Sequence, residues 1–488
     1  MLEYEGECIM RRIDMDNIVH LASLEIENFK NVKHGKINFP KAYNYEKNNV
    51  LGIYGQNASG KTAAVKAIML LQSIIALESL PERPNDVVFQ GADFCKIRVE
   101  LVLKLGSKIY NASYEVKISF GDSGLYISKE NITYKRNLKL EREAGFEPDM
   151  LKTPTVSLNC NLEDESELLD YTSSTAKSTN FDISSLTEKE QARLQIRNEN
   201  SLENKTSFLF LREVADCTPK EMFNILCLIR WKFLGNTFVI SAEEMALVYR
   251  NLFLPINFYI ENQDHTGATG GLLGFNTGNI SADDTKDFML LSDEKFELAK
   301  KLFKQINEIM PTLIPGLKLE LEEQGRQTLE NGDIGIRTGL ISIREESRLP
   351  FSYESEGVKK LASMISLFSA MYNNPNMLVV IDELDSGIYE YLLGEILEVL
   401  NNGGKGQLLF TAHNLRLLEV LKRENFAFST TNEENRYISF RDIKKSNNLR
   451  TMYLREIVFG GGEEKIYAET DSFYMRKAFE AAGRIHHE

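Results

Sequence analysis

The apolar positions of this 488-residue chain change period several times, and the changes divide it. Val50-Leu51-Gly52-Ile53-Tyr54 is a short, almost wholly apolar run, as are Met377 to Ile381 and Leu408-Leu409-Phe410. Runs of this length predict strands buried on both faces, as in parallel sheets. Residues 95–134 alternate instead: Cys95 to Leu103, Tyr110 to Ser119 and Leu125 to Tyr134 are separated by Gly106 and Gly121-Asp122-Ser123-Gly124. This pattern predicts an antiparallel meander. Helical spacing marks three further segments. Met222, Ile225, Leu226, Ile229 and Phe233 share one face; Phe296, Leu298, Leu302, Phe303, Ile306 and Ile309 share a second. Val358, Leu361, Ile365, Phe368 and Met371 form the third.

Other stretches show neither period. Glu163, Asp164, Glu165, Glu167 and Asp170 precede Ser/Thr-rich sequence, so 161–206 is expected to be a polar loop. Residues 264–281, with Gly267, Gly270, Gly271, Gly274 and Gly278, predict a second, flexible loop. No heptad pattern persists for three or four repeats, so long coiled-coil arms are not expected. The division is an N-terminal lobe at 1–160, a polar loop and compact helical insertion at 161–330, and a C-terminal lobe at 331–488.

Composition narrows the class. No segment reaches the roughly 18 uninterrupted apolar residues of a membrane span. Glu3, Glu5, Glu7, Arg11 and Arg12 open the chain with no apolar core behind them, so no signal peptide is expected. Cys8, Cys95, Cys160, Cys217 and Cys227 lack C-x-x-C spacing, which favours reduced structural thiols and a cytoplasmic protein. The formal charge of −14 argues against an extended DNA grip. Basic clusters are local: Lys135-Arg136 with Lys139, and Arg441 with Lys444-Lys445.

The chemistry begins at the end of the first apolar run. Gly55-Gln56-Asn57-Ala58-Ser59-Gly60-Lys61-Thr62 fits G-x-x-x-x-G-K-[ST] between a predicted strand and a predicted helix. There, backbone N–H groups and the helix dipole converge on one anion. Gly55, Asn57, Ala58, Ser59 and Gly60 would wrap the phosphates, Lys61 would add charge at the β/γ-phosphates, and the Thr62 hydroxyl would bind Mg²⁺. This motif predicts a nucleoside triphosphate site. Downstream, Met377 to Ile381 ends in Asp382-Glu383. At the carboxyl end of a parallel strand, Asp382 would serve the metal and Glu383 would polarise the attacking water. Alternatively the two acids are a solvated turn.

Tyr353-Glu354-Ser355-Glu356-Gly357-Val358-Lys359-Lys360-Leu361 opens the third helical stripe. Ser355 is either an ordinary N-cap or, with Gly357, an anion site at a helix start. The order of this segment, the Asp-Glu strand, Leu384-Asp385-Ser386-Gly387 and the strand ending in His413 resembles ABC-type ATPases. The variant is similar to the RecF, OLD and SMC branch. Leu21 to Asn31 resembles that branch's first strand and turn. The resemblance covers about 18–135 and 340–485.

It implies an α/β head with ATP and Mg²⁺ as ligands, and His413 sensing the γ-phosphate. Ser355 and Gly357 would complete the site of a second protomer, and Lys30 or its neighbours would approach the nucleotide. Gln90 is the candidate for the Q-loop, whose glutamine serves the metal. Stand-alone relatives, such as the PARIS, Abi-type and Septu ATPases, imply an anti-phage regulatory ATPase. That reading includes a homo-oligomer and a separately encoded nuclease or toxin effector. A RecF-like DNA repair ATPase and a nucleotide-gated scaffold stay open as alternatives. The roughly 20 residues after Glu469 are too few for a nuclease domain.

Overall fold

The computed structural model describes residues 17–40, 42, 49–121, 124–147, 153–163, 168–174, 181–182, 186–243, 289–328, 332, 334–439, 448–459, 464–468 and 471–484. The acidic N-terminus, Asp122-Ser123, the 264–281 glycine segment, the Arg441 to Lys445 cluster and Glu469-Thr470 lie outside the described residues.

Antiparallel strands come first. β1 (Ile18–Phe29) and β2 (Val32–Asn38) form a hairpin, and β3 (Asn49–Tyr54) leads to helix α1 (Lys61–Ile75). The alternating segment forms β4 (Phe94–Leu105), β5 (Lys108–Gly121) and β6 (Gly124–Arg136), as its period predicts. β7 (Thr155–Asn161), β8 (Asp170–Ser173) and β9 (Phe181–Asp182) continue that sheet, in the order β2-β1-β4-β5-β6-β7-β8-β9. One face is apolar. The other carries crossed ion pairs such as Lys96–Glu27 at 2.8 Å and Lys36–Glu100 at 3.1 Å.

The middle of the chain departs from expectation in two ways. Residues 161–206, read as a polar loop, contain β8, β9 and helix α2 (Glu188–Asn204). α2 buries only Leu194, Asn198 and Ser201, so it has no apolar stripe to read. Its start was nonetheless legible: Thr187 and Glu190 form a reciprocal capping box, the S/T-x-x-E signature. Second, the insertion is not wholly helical. After α3 (Lys220–Gly235), β10 (Thr237–Ile240) returns to the nucleotide-lobe sheet.

β11 (Met289–Leu291), α4 (Asp293–Leu313), β12 (Lys318–Thr328), β13 (Ile334–Arg344) and β14 (Ser347–Pro350) then form a small sheet with a helix on it. β12 pairs with β13 from Lys318↔Ile343 to Thr328↔Ile334, so the expected boundary at 330/331 falls inside a hairpin. Phe303, Ile306 and Met310 of α4 pack with Leu319, Phe351 and Ile365, joining this unit to α5 (Glu356–Asn373).

The main elements that follow are β15 (Leu378–Ile381), α6 (Glu390–Gly403), β16 (Gln407–Thr411), β17 (Phe426–Ser429), β18 (Tyr437–Ile438), α7 (Leu449–Phe459) and α8 (Ser472–Arg484). The second sheet runs β10-β15-β16-β3-β17-β18 and is parallel from β10 to β17. β3, β15 and β16 are buried at every position. Leu51, Ile53, Val380 and Leu409 meet α1 and the antiparallel sheet on one side. Val50, Tyr54, Val379, Ile381 and Phe410 meet α5 and α6 on the other.

Two amide side chains stitch the sheets together. Asn376 accepts from Val19 N–H at 2.7 Å and donates to Asn17 C=O at 3.0 Å. Gln407 accepts from Leu21 N–H at 2.7 Å and donates to Leu21 C=O at 2.8 Å. Beside them the buried Lys232 donates to Asn376 C=O at 2.6 Å. His20, also buried, has ring nitrogens 3.3 Å from Ala42 C=O and 2.9 Å from Pro375 C=O.

Candidate functional site

The loop between β3 and α1 is closely fitted. A Cβ on Gly55 would lie 1.7 Å from Ser429 Oγ, so no larger residue fits. Ala58 turns the apex at φ +62°, and Gly60 enters α1 at φ +91°. α1 has no side-chain cap and no acid in its first turn, which leaves its N–H groups and positive dipole end for an external anion. Lys61 is 7% exposed, and its ammonium donates to the carbonyls of Gly55 at 2.8 Å and Gln56 at 2.9 Å. Burial lowers its pKa, opposed by the charges of Asp382, Glu383 and Asp385. Thr62 beside it is exposed, as is Asn57 at the apex.

Side chains from distant elements hold the loop. Tyr437 donates to Gly60 C=O at 2.6 Å, and Asn31 donates to Ala58 C=O at 2.6 Å. Ser59 donates to Gln56 C=O at 2.6 Å. The Gln56 amide accepts from Ala468 N–H at 2.9 Å and donates to its carbonyl at 3.4 Å, so residues 464–468 lie along the loop.

β15 delivers the two acids one strand beyond β16. Asp382 is buried, and its Oδ1 accepts from the Thr411 hydroxyl at 2.5 Å. Glu383 is exposed, with φ +51°, and its N–H donates to the same hydroxyl at 2.8 Å. Thr411, at the end of β16, therefore fixes both acids.

Beyond Thr411 the chain turns on a carboxylate. Asp385 accepts from His413 N–H at 2.8 Å and Asn414 N–H at 2.6 Å. The Tyr54 hydroxyl donates to Asn414 C=O at 2.8 Å. His413 is exposed at its edge, yet desolvation and the Lys61 charge lower its pKa below 6.5. Asp385, Glu383 and Asp382 oppose that shift. Lys61, Asp382, Glu383, Asp385 and His413 thus share one electrostatic cluster at the ends of three neighbouring strands.

Ser355 caps α5, its hydroxyl accepting from Val358 N–H at 3.4 Å, and is exposed. Gly357 presses on the loop after Glu383: a Cβ there would lie 2.2 Å from Gly387 C=O. Lys360, one turn on, is buried and donates to Glu383 C=O at 2.7 Å and Ser386 C=O at 3.0 Å.

Lys30 sits at φ +52° in the β1–β2 turn, and it is the neighbouring Asn31 that reaches the phosphate loop. Gln90 is exposed in a turn against β1, where Phe89 N–H donates to Asn28 C=O at 2.8 Å. Among the described residues no hydrogen bond joins Gln90 to the cluster. Thr411, Ser429, Tyr437 and Lys360 were missed as site residues. Thr411 carried a signal, as a polar residue closing an otherwise apolar strand, and so did Lys360, which lies in the Tyr353 to Leu361 segment that carries the resemblance.

Residues 20–436 match the family described as the RecF/RecN/SMC N terminal domain. No curated protein matches. Among solved structures, the Smc head bound to the C-winged helix domain of ScpA is 11% identical, with TM-score 0.40, covering 86% of this chain and 98% of that one. A Pyrococcus furiosus Smc head domain with an extended coiled coil, bound to the C-terminal domain of ScpA, is 13% identical, with TM-score 0.37, covering 90% and 99%. The SMC head domain from Thermotoga maritima is 12% identical, with TM-score 0.34, covering 86% and 98%.

Proposed function

The chain belongs to the RecF/RecN/SMC N-terminal domain family, and from that premise we propose that it binds ATP with Mg²⁺ and hydrolyses it. The observation that carries this reading is the convergence of Lys61, Asp382, Glu383 and His413 at the ends of β3, β15 and β16. The donor set suits a nucleoside triphosphate: an uncapped helix start, an ammonium, the hydroxyl of the exposed Thr62 and a buried carboxylate at Asp382. Bound Mg²⁺ would neutralise phosphate charge, held by Thr62 and Asp382. Glu383 takes the proton of the attacking water. His413, favoured as neutral imidazole, hydrogen-bonds the terminal phosphate. Ser355 and Gly357 present a second helix start to the nucleotide of another protomer, giving a homodimer or higher oligomer.

The biological reading is a regulatory ATPase that restrains or releases a separately encoded effector in anti-phage defence. A RecF-like repair role draws on the same family. The net charge of −14 favours a protein partner over a direct DNA grip.

Calorimetry and turnover assays test the central claim. Lys61→Ala should weaken ATP binding about tenfold or more, at least ~1.4 kcal/mol. Because Lys61 is buried on two loop carbonyls, the variant should also melt earlier without nucleotide. Unchanged ATP affinity would remove the loop from the site.

A further inference from the structure

Glu383 stands in a backbone conformation that residues with side chains rarely adopt, at φ +51°. Both of its backbone groups are anchored. Its N–H donates to Thr411 Oγ1 at 2.8 Å, and its carbonyl accepts from Lys360 Nζ at 2.7 Å and Ser386 N–H at 3.1 Å. The same ammonium holds Ser386 C=O at 3.0 Å, so it closes the turn from beneath.

Lys360 is fully buried, and its ammonium donates to these two carbonyls. Asp385, Glu383 and Asp382 favour its charge at longer range, against a desolvation that lowers its pKa to about 8. An ammonium is a costly way to fill a core position that an apolar side chain of similar length fills as well. What it alone does here is bind two carbonyls of one strained turn. Gly357 permits the approach, since the absence of its Cβ lets α5 lie directly on Gly387 C=O.

We propose that Lys360 is a positioning residue for hydrolysis: by holding the carbonyls of Glu383 and Ser386 it sets the turn that aims the Glu383 carboxylate at water. This rests on the ATPase reading above. Lys360 donates to the Glu383 and Ser386 carbonyls and so acts through Glu383, which means its loss should change the chemical step and leave binding intact.

The test is Lys360→Met in the full chain, with single-turnover ATP hydrolysis, ATP affinity by calorimetry and amide hydrogen exchange across 383–388. Hydrolysis should fall about tenfold or more with affinity within about threefold, the split expected when only transition-state positioning is lost. Exchange at 384–388 should quicken while the interior of α5 stays protected. Lys360→Arg, which keeps a buried cation with several donors, should recover part of the lost rate. If Lys360→Met does not fold, Lys360→Gln replaces it under the same thresholds. Hydrolysis within about threefold of wild type overturns the proposal, as do parallel losses of affinity and rate. A wild type without turnover overturns the ATPase reading and the proposal together, and Glu383→Gln run alongside separates that outcome from a failure at Lys360 alone.

Discussion

At the scale of single residues, the geometry of the proposed site hangs on one hydroxyl. Thr411 donates to Asp382 and accepts from Glu383 N–H, so the two acids share a support neither provides for itself. Thr411→Val keeps the shape of the side chain and leaves a buried carboxylate oxygen and an N–H without that partner, a loss of about 1–3 kcal/mol. A lower melting temperature together with slower hydrolysis is the expected result, read by thermal denaturation and turnover. An unchanged melting point would mean that the hydroxyl is dispensable. Glu383→Gln should bind ATP normally and turn over about 10²–10⁴-fold more slowly. Turnover close to wild type would transfer the general-base role elsewhere. The acids themselves were legible because they end an apolar run. Their supports were not: Thr411 and Lys360 gain their roles only when strands and helices distant in sequence meet.

At the scale of elements, the junction between the sheets carries a pH signature. His20 is buried beside Lys232, and burial first, then the Lys232 charge, lowers its pKa from 6.5 to about 4. The folded state therefore binds this proton less readily than the unfolded chain does. The contribution is fully present above pH 6.5 and is lost as pH falls towards 4. Desolvation lowers Lys232 from 10.5 to about 7, with the same sign, so stability also rises with pH between 7 and 10.5. His20→Gln should flatten the decline in melting temperature between pH 6.5 and 4 relative to wild type. Parallel curves for the two proteins would rule out His20 as the titrating group. Elements whose faces sort cleanly by polarity were readable from the chain, β4 to β6 and α5 above all. α2 was not, because a solvated helix of Glu, Arg, Gln and Asn writes no apolar stripe. β10 escaped notice as a four-residue strand directly behind a helix.

At the scale of the molecule, the proposed two-protomer site calls for complementation between protomers. Gly357 is a poor probe, since any side chain there meets its own chain at Gly387 before it meets a partner's phosphate. Ser355 is exposed, and Ser355→Arg places bulk at the start of α5 without that clash. Alone, Ser355→Arg and Lys61→Ala should each be inactive. Mixed, they should recover part of the activity, because one intact phosphate loop can face one intact α5. A titration that stays flat, with both proteins folded, would return Ser355 to the role of a helix cap.

β3 also has a consequence for how the protein is made. Its neighbours in the sheet are β16 and β17, which begin at Gln407 and Phe426, while β3 itself ends at Tyr54. During synthesis, a strand this apolar waits through some 350 residues for its first neighbouring strand, a delay of about 20–70 s at ordinary elongation rates. Contacts so distant in sequence form slowly and leave the early segment exposed to aggregation. An N-terminal fragment ending at residue 160 should therefore fail to bind ATP although it contains the whole of Gly55 to Thr62, and equilibrium dialysis would decide it. The phosphate loop leaves the ribosome some 350 residues ahead of the strands it needs in order to work.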